Sequence, residues 1–287
     1  LGTLLVYAAT RNWYAANGLD PQYYLKRHVI NIIIGLLLAW GTTVIDYRLL
    51  RAYTPFVWIL SVLGLAYVLV LGTEVNGAQA WIALPGGFQI QPAELAKISI
   101  IVGISMILSE RTHNSDEPTR NDILRSLGVA GAPVLLILAQ PDMGTVFIIS
   151  IAVIAILGIS GASTKWVAGL LILALAGSFI AVKSGVIKDY QIKRLQSFVD
   201  PNADSQGTGY QLRQARITVG SGGLVGTGLF NGPQTNGRFV PEQQTDFIFT
   251  VAGEELGFLG AGLILLLYII ILMRSFAIAR RSSDPYG

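Results

Sequence analysis

The sequence predicts an all-α, polytopic membrane protein, and three observations support this fold class. Hydrophobic residues make up 52% of the chain and charged residues only 13%, whereas a soluble domain carries roughly 25% charged residues. The mean hydropathy is +0.57. Apolar runs long enough to cross a bilayer recur along the whole chain, and helices suit them because a helix satisfies its own backbone hydrogen bonds in lipid.

The apolar runs predict about eight membrane-spanning segments. A cleavable leader does not explain the first run, because similar runs follow it throughout the chain. We expect a single integral membrane domain with helices over 1–182, a large extracytoplasmic loop over 183–245, and an eighth span with a cytoplasmic tail over 246–287. The segments lie near 1–14, 28–45, 55–71, 93–108, 123–139, 143–159, 165–182 and 246–275.

Basic residues predict the orientation of the spans. One set of short loops carries more lysine and arginine than the other, and by the positive-inside rule that set is cytoplasmic. The 72–92 loop and the long 183–245 loop then face outward. The basic charge of the long loop serves either solubility and contact with lipid head groups, or binding of an anion such as a lipid pyrophosphate. We expect no nucleic-acid partner, since the loop lacks interleaved aromatic residues.

A carboxylate and an ammonium group stand at the start of the fourth predicted span. Glu94 and Lys97 follow Gln91 and Pro92, and proline before an acid in the first turn is typical of a helix start. The i,i+3 spacing places both charges on one helix face. They form either a structural ion pair or part of a substrate path or reaction site, which ionisable groups in membrane segments commonly mark.

Two aspartates stand at other predicted helix entrances. Asp142 precedes the sixth span and is either an N-cap or a polar group of the site. Asp246 leads from the long loop into the last span, where partial desolvation would make its carboxylate a stronger base. Glu254 and Glu255 lie about two turns deeper, and we expect them to bond to neighbouring helices or to be buried structural carboxylates.

The remaining motifs indicate no cofactor site. The glycine-rich run 220–228 lacks the preceding strand that a dinucleotide fold requires, so we expect close-packed turns there. Neither His28 nor His113 has a second histidine or a cysteine at ligand spacing, which argues against zinc. The chain contains no cysteine, which excludes disulfides.

Short polar runs follow one another in a fixed order along nearly the whole chain. They are 76–78 with 81–82, 91–94 with Lys97, 140–145, 194–201, 209–211, 220–228, 241–242 with 245–249, and 254–257. Each run is weak evidence alone, but the ordered set is specific. It resembles the SEDS family, the shape, elongation, division and sporulation proteins, and within that family the RodA branch more than the FtsW branch. The resemblance implies about ten spans, of which about eight are expected in 1–287.

The resemblance implies a peptidoglycan glycosyltransferase that polymerises lipid II on the outer face of the bacterial plasma membrane, for cell elongation and shape. It implies a class B penicillin-binding transpeptidase as a partner. The essential aspartate of the family falls on Asp246, and its important tryptophan, glutamate and lysine fall on Trp81, Glu94 and Lys97. A lipid II flippase and a non-catalytic scaffold of the cell-wall machinery are the alternatives.

Lipid II has an α-linked pyrophosphate and the polymer is β-linked, so one inverting displacement with one base suffices. We expect Asp246 to be that base. Positive charge on the leaving pyrophosphate would come from basic side chains or from a divalent ion, Mg²⁺ or Mn²⁺. The expected substrate-binding residues are Trp81, Glu94, Lys97, Asp142, Arg194, Gln211, Arg213 and Glu242.

Overall fold

The computed structural model describes residues 1–75, 78–110, 117–183, 196, 207–282 and 286, and these residues are mostly helical. The all-α polytopic fold class is therefore confirmed. The helices are α1 (Gly2–Ala16), α2 (Tyr23–Val44), α3 (Tyr47–Leu71), α4 (Pro92–Ser109), α5 (Arg120–Ala139), α6 (Met143–Ile159), α7 (Thr164–Lys183), α8 (Thr208–Ser221), α9 (Pro233–Gly237), α10 (Ile248–Glu255) and α11 (Gly257–Ala279).

Five of these helices, α2, α3, α4, α5 and α11, are long and apolar enough to cross a membrane, and α6 and α7 are shorter apolar helices. Each predicted span corresponds to a helix, apart from the last, but α2 begins five residues and α3 eight residues before the predicted starts. The last span is divided between α10 and α11, because Gly257 adopts a left-handed backbone with φ +67°. An L side chain rarely adopts this conformation, which glycine takes without steric cost.

The 72–92 segment, expected to be a loop, contains a small antiparallel sheet. Its strands are β1 (Thr73–Val75), β2 (Ala78–Ala83) and β3 (Gln89–Ile90), in the order β1-β2-β3. Trp81 pairs with Thr73 on one side of β2, and Ile82 pairs with Ile90 on the other. The sequence Asn76-Gly77 between the first two strands is a strong hairpin signal, and it could have predicted this sheet.

One compact unit comprises Ile45–Ile180 and Ser282–Gly287. Its central helix is α4, which packs against α3, α5 and α6 and buries Ala96, Ile100 and Ile104. The Ser61 and Ser99 hydroxyls lie 2.9 Å apart in this core. Small residues and interhelical hydrogen bonds of this kind are typical of helices packed in a membrane. The packing of α4 sets where the Glu94 and Lys97 side chains lie.

The other compact unit comprises Leu1–Val44 and Ala181–Arg281. Its central helix is α10, which packs against α8, α1 and α11. Leu5, Ala8 and Ala9 of α1 form an apolar core with Val251 and Ala252 of α10. This shared core, in which Ala8, Ala9 and Ala252 are small, holds α10 against α1.

The glycine-rich run packs directly on the break between α10 and α11. The Thr227 amide donates to the Glu254 carbonyl oxygen at 2.9 Å, and the Gly228 amide donates to that of Glu255 at 3.1 Å. In the other direction, the Phe258 amide donates to the Gly223 carbonyl oxygen at 2.9 Å. The expected close-packed turns are thus confirmed, and glycine is required because the two backbones touch.

The buried carboxylate of Glu254 organises the start of α9. It accepts hydrogen bonds from the backbone amides of Gln234 and Thr235, both at 2.8 Å, and from the hydroxyls of Thr235 at 2.6 Å and Ser221 at 3.3 Å. A carboxylate is well suited to this place, because the first amides of a helix have no partner within the helix. The expectation that Glu254 bonds to neighbouring helices is confirmed.

Glu255 is also buried, at 1% exposure, but neither of its carboxylate oxygens makes a hydrogen bond of standard geometry with the described residues. The two neighbouring glutamates therefore differ in kind. Glu254 is hydrogen-bonded to two neighbouring helices, whereas Glu255 is a buried carboxylate that only the Phe230 and Gly232 amides approach, in poorer geometry.

Replacing Gly222 with alanine should destabilise the protein. The added Cβ would overlap the carbonyl oxygen of Gly253, and overpacking of this kind costs about 1–3 kcal/mol. Thermal unfolding in detergent measures the effect. Gly220→Ala is the matched control, because its Cβ would have no neighbour within 4 Å. Equal melting temperatures for the two variants would contradict the close packing.

Replacing Glu254 with glutamine should cost about 1–3 kcal/mol of stability, because an amide group would face donors that need an acceptor. The same substitution at Glu255 should cost less, since the Phe230 and Gly232 amides meet its carboxylate in poorer geometry than the donors that meet Glu254. Thermal unfolding of the two variants in one detergent provides the comparison. A larger loss for Glu255→Gln would show that the roles are reversed.

Candidate functional site

The Glu94–Lys97 pair stands at the exposed end of α4. Lys97 Nζ lies 2.7 Å from Glu94 Oε1, which confirms that the i,i+3 spacing places both charges on one face. The Glu94 side chain is 62% exposed and that of Lys97 is 25% exposed. An exposed pair of this kind contributes about 1 kcal/mol or less to stability. The stability gained from this ion pair therefore does not explain why two charged residues stand at the start of a membrane helix.

Asp142 caps α6, as one of its two interpretations predicted. Its carboxylate accepts hydrogen bonds from the Thr145 amide at 3.1 Å and the Thr145 hydroxyl at 2.7 Å. It also accepts one from Gln91 Nε2 at 3.2 Å. Gln91 is the N-cap residue of α4, so this bond joins the starts of the two helices. A contact between Asp142 and substrate stays a prediction.

Trp81 lies on the small sheet, on strand β2, where it is half-buried. The strand packs against α3 and α4, and the Trp81 carbonyl oxygen accepts a hydrogen bond from the Thr73 hydroxyl at 3.1 Å. The sheet connects the end of α3 to the start of α4. The structure thus gathers Trp81, Glu94, Lys97 and Asp142 at one end of the unit that contains them.

Asp246 belongs to the other compact unit, in a turn just before α10. The Asp246 amide donates to the Glu242 carbonyl oxygen at 3.0 Å. The side chains of Asp246 and Glu242 are exposed. Because α10 begins at Ile248, the turn before it presents its acidic side chains outward from this unit. The expected partial desolvation of Asp246 at the membrane surface stays a prediction.

The carboxylate of Asp246 has no structural role among the described residues. The N-cap position of α10 is Phe247, and no side chain caps this helix, so Asp246 is not a cap of α10. None of the described side chains forms an ion pair with Asp246. An exposed acid without a structural contact is available for chemistry.

Two other expected site residues lie on α8, in the same unit as Asp246. The helix buries Ala215 and Thr218 and packs against α10. On its other faces Gln211 is half-buried and Arg213 is exposed. Arg213 therefore adds a positive charge to the accessible surface of this unit. Arg194 lies outside the described residues.

Sequence reasoning missed Gln243, the inward anchor of the turn that carries Asp246. Gln243 is 1% exposed, and its Nε2 donates to the hydroxyls of Thr235 at 3.2 Å and Thr250 at 3.4 Å. In the sequence it is one of several consecutive polar residues, which suggest a solvated surface. Only the fold shows which of them points inward.

Three comparisons with known proteins bear on this site. The model of the FtsW, RodA and SpoVE family, described as a cell cycle protein, matches residues 1–287. Peptidoglycan glycosyltransferase MrdB of Escherichia coli is 33% identical over 284 residues, which are 99% of this chain and 75% of that protein. The probable peptidoglycan glycosyltransferase FtsW of Tolumonas auensis is 36% identical over 286 residues, covering 98% and 71% of the two chains.

The fold is also shared with a solved structure. A chain from a structure described as the structural coordination of polymerization and crosslinking by a peptidoglycan synthase complex matches with a TM-score of 0.74 and 28% identity, over 99% of this chain and 78% of its own. The two curated relatives differ little in identity, so the RodA-like branch stays a prediction. The family match over the whole length and these relatives establish that the chain belongs to the SEDS family, the family of FtsW, RodA and SpoVE.

Proposed function

We propose that this chain, a peptidoglycan glycosyltransferase by its relatives, polymerises lipid II by one inverting transfer in which Asp246 is the base. The observation that carries this proposal is the Asp246 carboxylate, which is exposed, lies on a turn anchored from behind by Gln243, and has no structural contact of its own. Proton abstraction requires a base held in position, and a carboxylate with free lone pairs can serve as that base.

In the reaction, the acceptor sugar hydroxyl gives its proton to an Asp246 oxygen as the hydroxyl oxygen attacks the anomeric carbon of the donor. The bond from that carbon to the pyrophosphate oxygen breaks on the opposite face, and the lipid pyrophosphate leaves with the electron pair. The α-linkage becomes a β-linkage, and Asp246 releases its proton to water. A general base of this kind contributes about 10² to 10⁴ in rate.

The leaving pyrophosphate requires positive charge. Lys97 is suited to supply it, because its ammonium has three donor hydrogens and Glu94 orients it through a 2.7 Å contact. Arg213 and Arg194 are further candidates. Trp81 would stack on a sugar ring, and the polar side chains of Asp142, Gln211 and Glu242 would bind sugar hydroxyls or the peptide of the donor.

A divalent ion, Mg²⁺ or Mn²⁺, would also supply positive charge to the leaving pyrophosphate. Among the residues that the structure describes, no group of three or more histidine, aspartate or glutamate side chains is arranged to hold one. These residues do not fit a metal held by the protein alone, so we assign no step to an ion.

The proposed reaction takes place on the outer face of the bacterial plasma membrane. Its support is the excess of lysine and arginine in the loops on the opposite side. We propose a class B penicillin-binding transpeptidase as the partner, since the matching solved chain comes from a complex described as coordinating polymerization and crosslinking. We propose cell elongation as the role because the ordered motifs resemble the RodA branch more than the FtsW branch. Membrane lipids would cover the apolar helix faces.

Asp246→Asn should abolish polymerisation, with a loss of about 100-fold or more, because the amide cannot accept the proton. Purified protein is incubated with lipid II, with and without its transpeptidase partner, and glycan chains are measured. Asp20→Asn is the control, because Asp20 is an exposed carboxylate of the same unit whose contacts are local, to Lys26 and to the Gln22 amide. Normal chains from Asp246→Asn would exclude the base. Lipid movement without chains in the wild type would favour a flippase.

Lys97→Ala should lower kcat/KM for lipid II by about 10-fold or more, because a charge-assisted hydrogen bond to the pyrophosphate is worth about 1.5–3 kcal/mol. The melting temperature should change little, since the pair is exposed. Lys26→Ala removes a similar exposed pair, Lys26–Asp20 at 2.6 Å, and serves as the control. Equal kcat/KM for the two variants would remove Lys97 from the site.

A further inference from the structure

We propose that Arg238 is a positioning residue for the turn of residues 241–247, which carries Asp246. It would act through Gln244 and would itself be held on Trp13 of α1. This inference rests on the proposed function, because it assumes that Asp246 is the base. The proposal gives a role to α1 and to one arginine of the basic 183–245 segment.

The turn contains a conformation that needs external support. Glu242 has a left-handed backbone, with φ +50°, which residues other than glycine rarely adopt. Its carbonyl oxygen accepts the amides of Thr245 at 3.2 Å, Asp246 at 3.0 Å and Phe247 at 3.4 Å. The direction of the Asp246 side chain therefore depends on the orientation of one peptide group, that of Glu242.

The turn is supported from the inside by Gln243, but its outer side has little buried contact. Glu242, Thr245 and Asp246 are all exposed. Gln244, which is half-buried, provides the link on this side. Its Nε2 donates to Glu242 Oε2 at 3.4 Å, and its Oε1 accepts from Arg238 Nη2 at 3.3 Å.

Arg238 is well anchored to serve as the fixed end of this link. Its guanidinium carbon lies 4.5 Å from the centroid of the Trp13 ring, and its amide donates to the Thr235 carbonyl oxygen at 3.2 Å. Beside it, Asn12 Nδ2 donates to Asn236 Oδ1 at 2.6 Å. Both α1 and the end of α9 therefore hold the arginine in place.

Arginine suits this place for a geometric reason. A planar guanidinium stacks on an aromatic face while its edge donates hydrogen bonds, whereas the ammonium group of lysine is a point charge on a flexible stem. The chain of contacts runs from Trp13 through Arg238 and Gln244 to Glu242. Loss of either end should let the turn drift and reduce the time that Asp246 spends in its reactive position.

A positioning role makes a distinct kinetic prediction. Misplacement by about 1 Å is enough to cost roughly 10²-fold in rate. We expect Arg238→Ala and Trp13→Ala each to lower kcat by about 10- to 100-fold, with KM for lipid II within about twofold of the wild type. Trp13→Phe should retain most of the activity because it keeps an aromatic face. Arg238→Lys should not, because it loses the stacked fork.

The double variant Trp13→Ala, Arg238→Ala should be little worse than either single variant, since residues that act as one unit are not additive. Arg216→Ala is the matched control. Arg216 is an exposed arginine on α8 in the same unit, and it forms no ion pair with the described residues. Its kcat should stay within about twofold of the wild type.

Hydrogen exchange supplies a readout that does not depend on activity. The amides of Thr245 and Asp246 should exchange faster in Arg238→Ala than in Arg216→Ala, while the amides of α10 and the melting temperature stay close to those of the wild type. Unchanged exchange and unchanged kcat in Arg238→Ala would overturn the inference. A raised KM with normal kcat would overturn it too, and would make Arg238 a substrate-binding residue.

Different results would exclude Asp246 as the base and Arg238 as its positioning residue. If the wild type and Asp246→Asn form glycan chains equally well, the proposed base is wrong and the catalytic consequence of Arg238 falls with it. If Asp246→Asn is inactive while the Arg238 and Trp13 variants match Arg216→Ala in kcat and exchange, the proposed function stands and only the positioning role is wrong.

Discussion

The hydrogen bonds of the Glu254 carboxylate are the interaction on which the unit carrying Asp246 depends. Burying a charge is costly unless hydrogen bonds replace the lost water, and Glu254 at 0% exposure accepts four of them from α8 and α9. One side chain of α10 thereby fixes the end of one helix and the start of another. Because α9 leads through Arg238 into the turn of Asp246, the place of the proposed base follows from a buried group later in the chain.

The charged groups of this protein fall into two physical classes. Glu254 is buried and bonded on all sides, so its contribution is structural. Glu94, Lys97 and Asp246 lie where helices begin, are at least partly exposed, and contribute little to stability through their contacts. Asp142 belongs partly to both classes, because it caps α6 and also meets Gln91. The exposed charges, which contribute little to stability, are therefore the residues to test for a role in the reaction.

Features that depend on neighbouring residues were predictable. Helix positions, the shared face of Glu94 and Lys97, the cap at Asp142 and the packed glycine run all follow from spacing over a few residues. Other features were missed. The sheet over 73–90 depends on pairing between short strands, and the division of the last span depends on contact between Gly257 and the glycine run. The exposure of Asp246 depends on where α10 begins.

By itself, the sequence determined the membrane fold class, the order of the spans, the family through its ordered motifs, and which acids and bases deserve a functional test, because hydropathy and residue spacing are properties of the local chain. Only the tertiary structure decided which of those charges are buried and bonded and which are exposed. It also revealed the supports of the turn of Asp246, Gln243 within and Arg238 on Trp13 outside. The physical reason is that a hydrogen bond or a stacked ring depends on distance in space, and residues 13 and 238 become neighbours only when the chain folds.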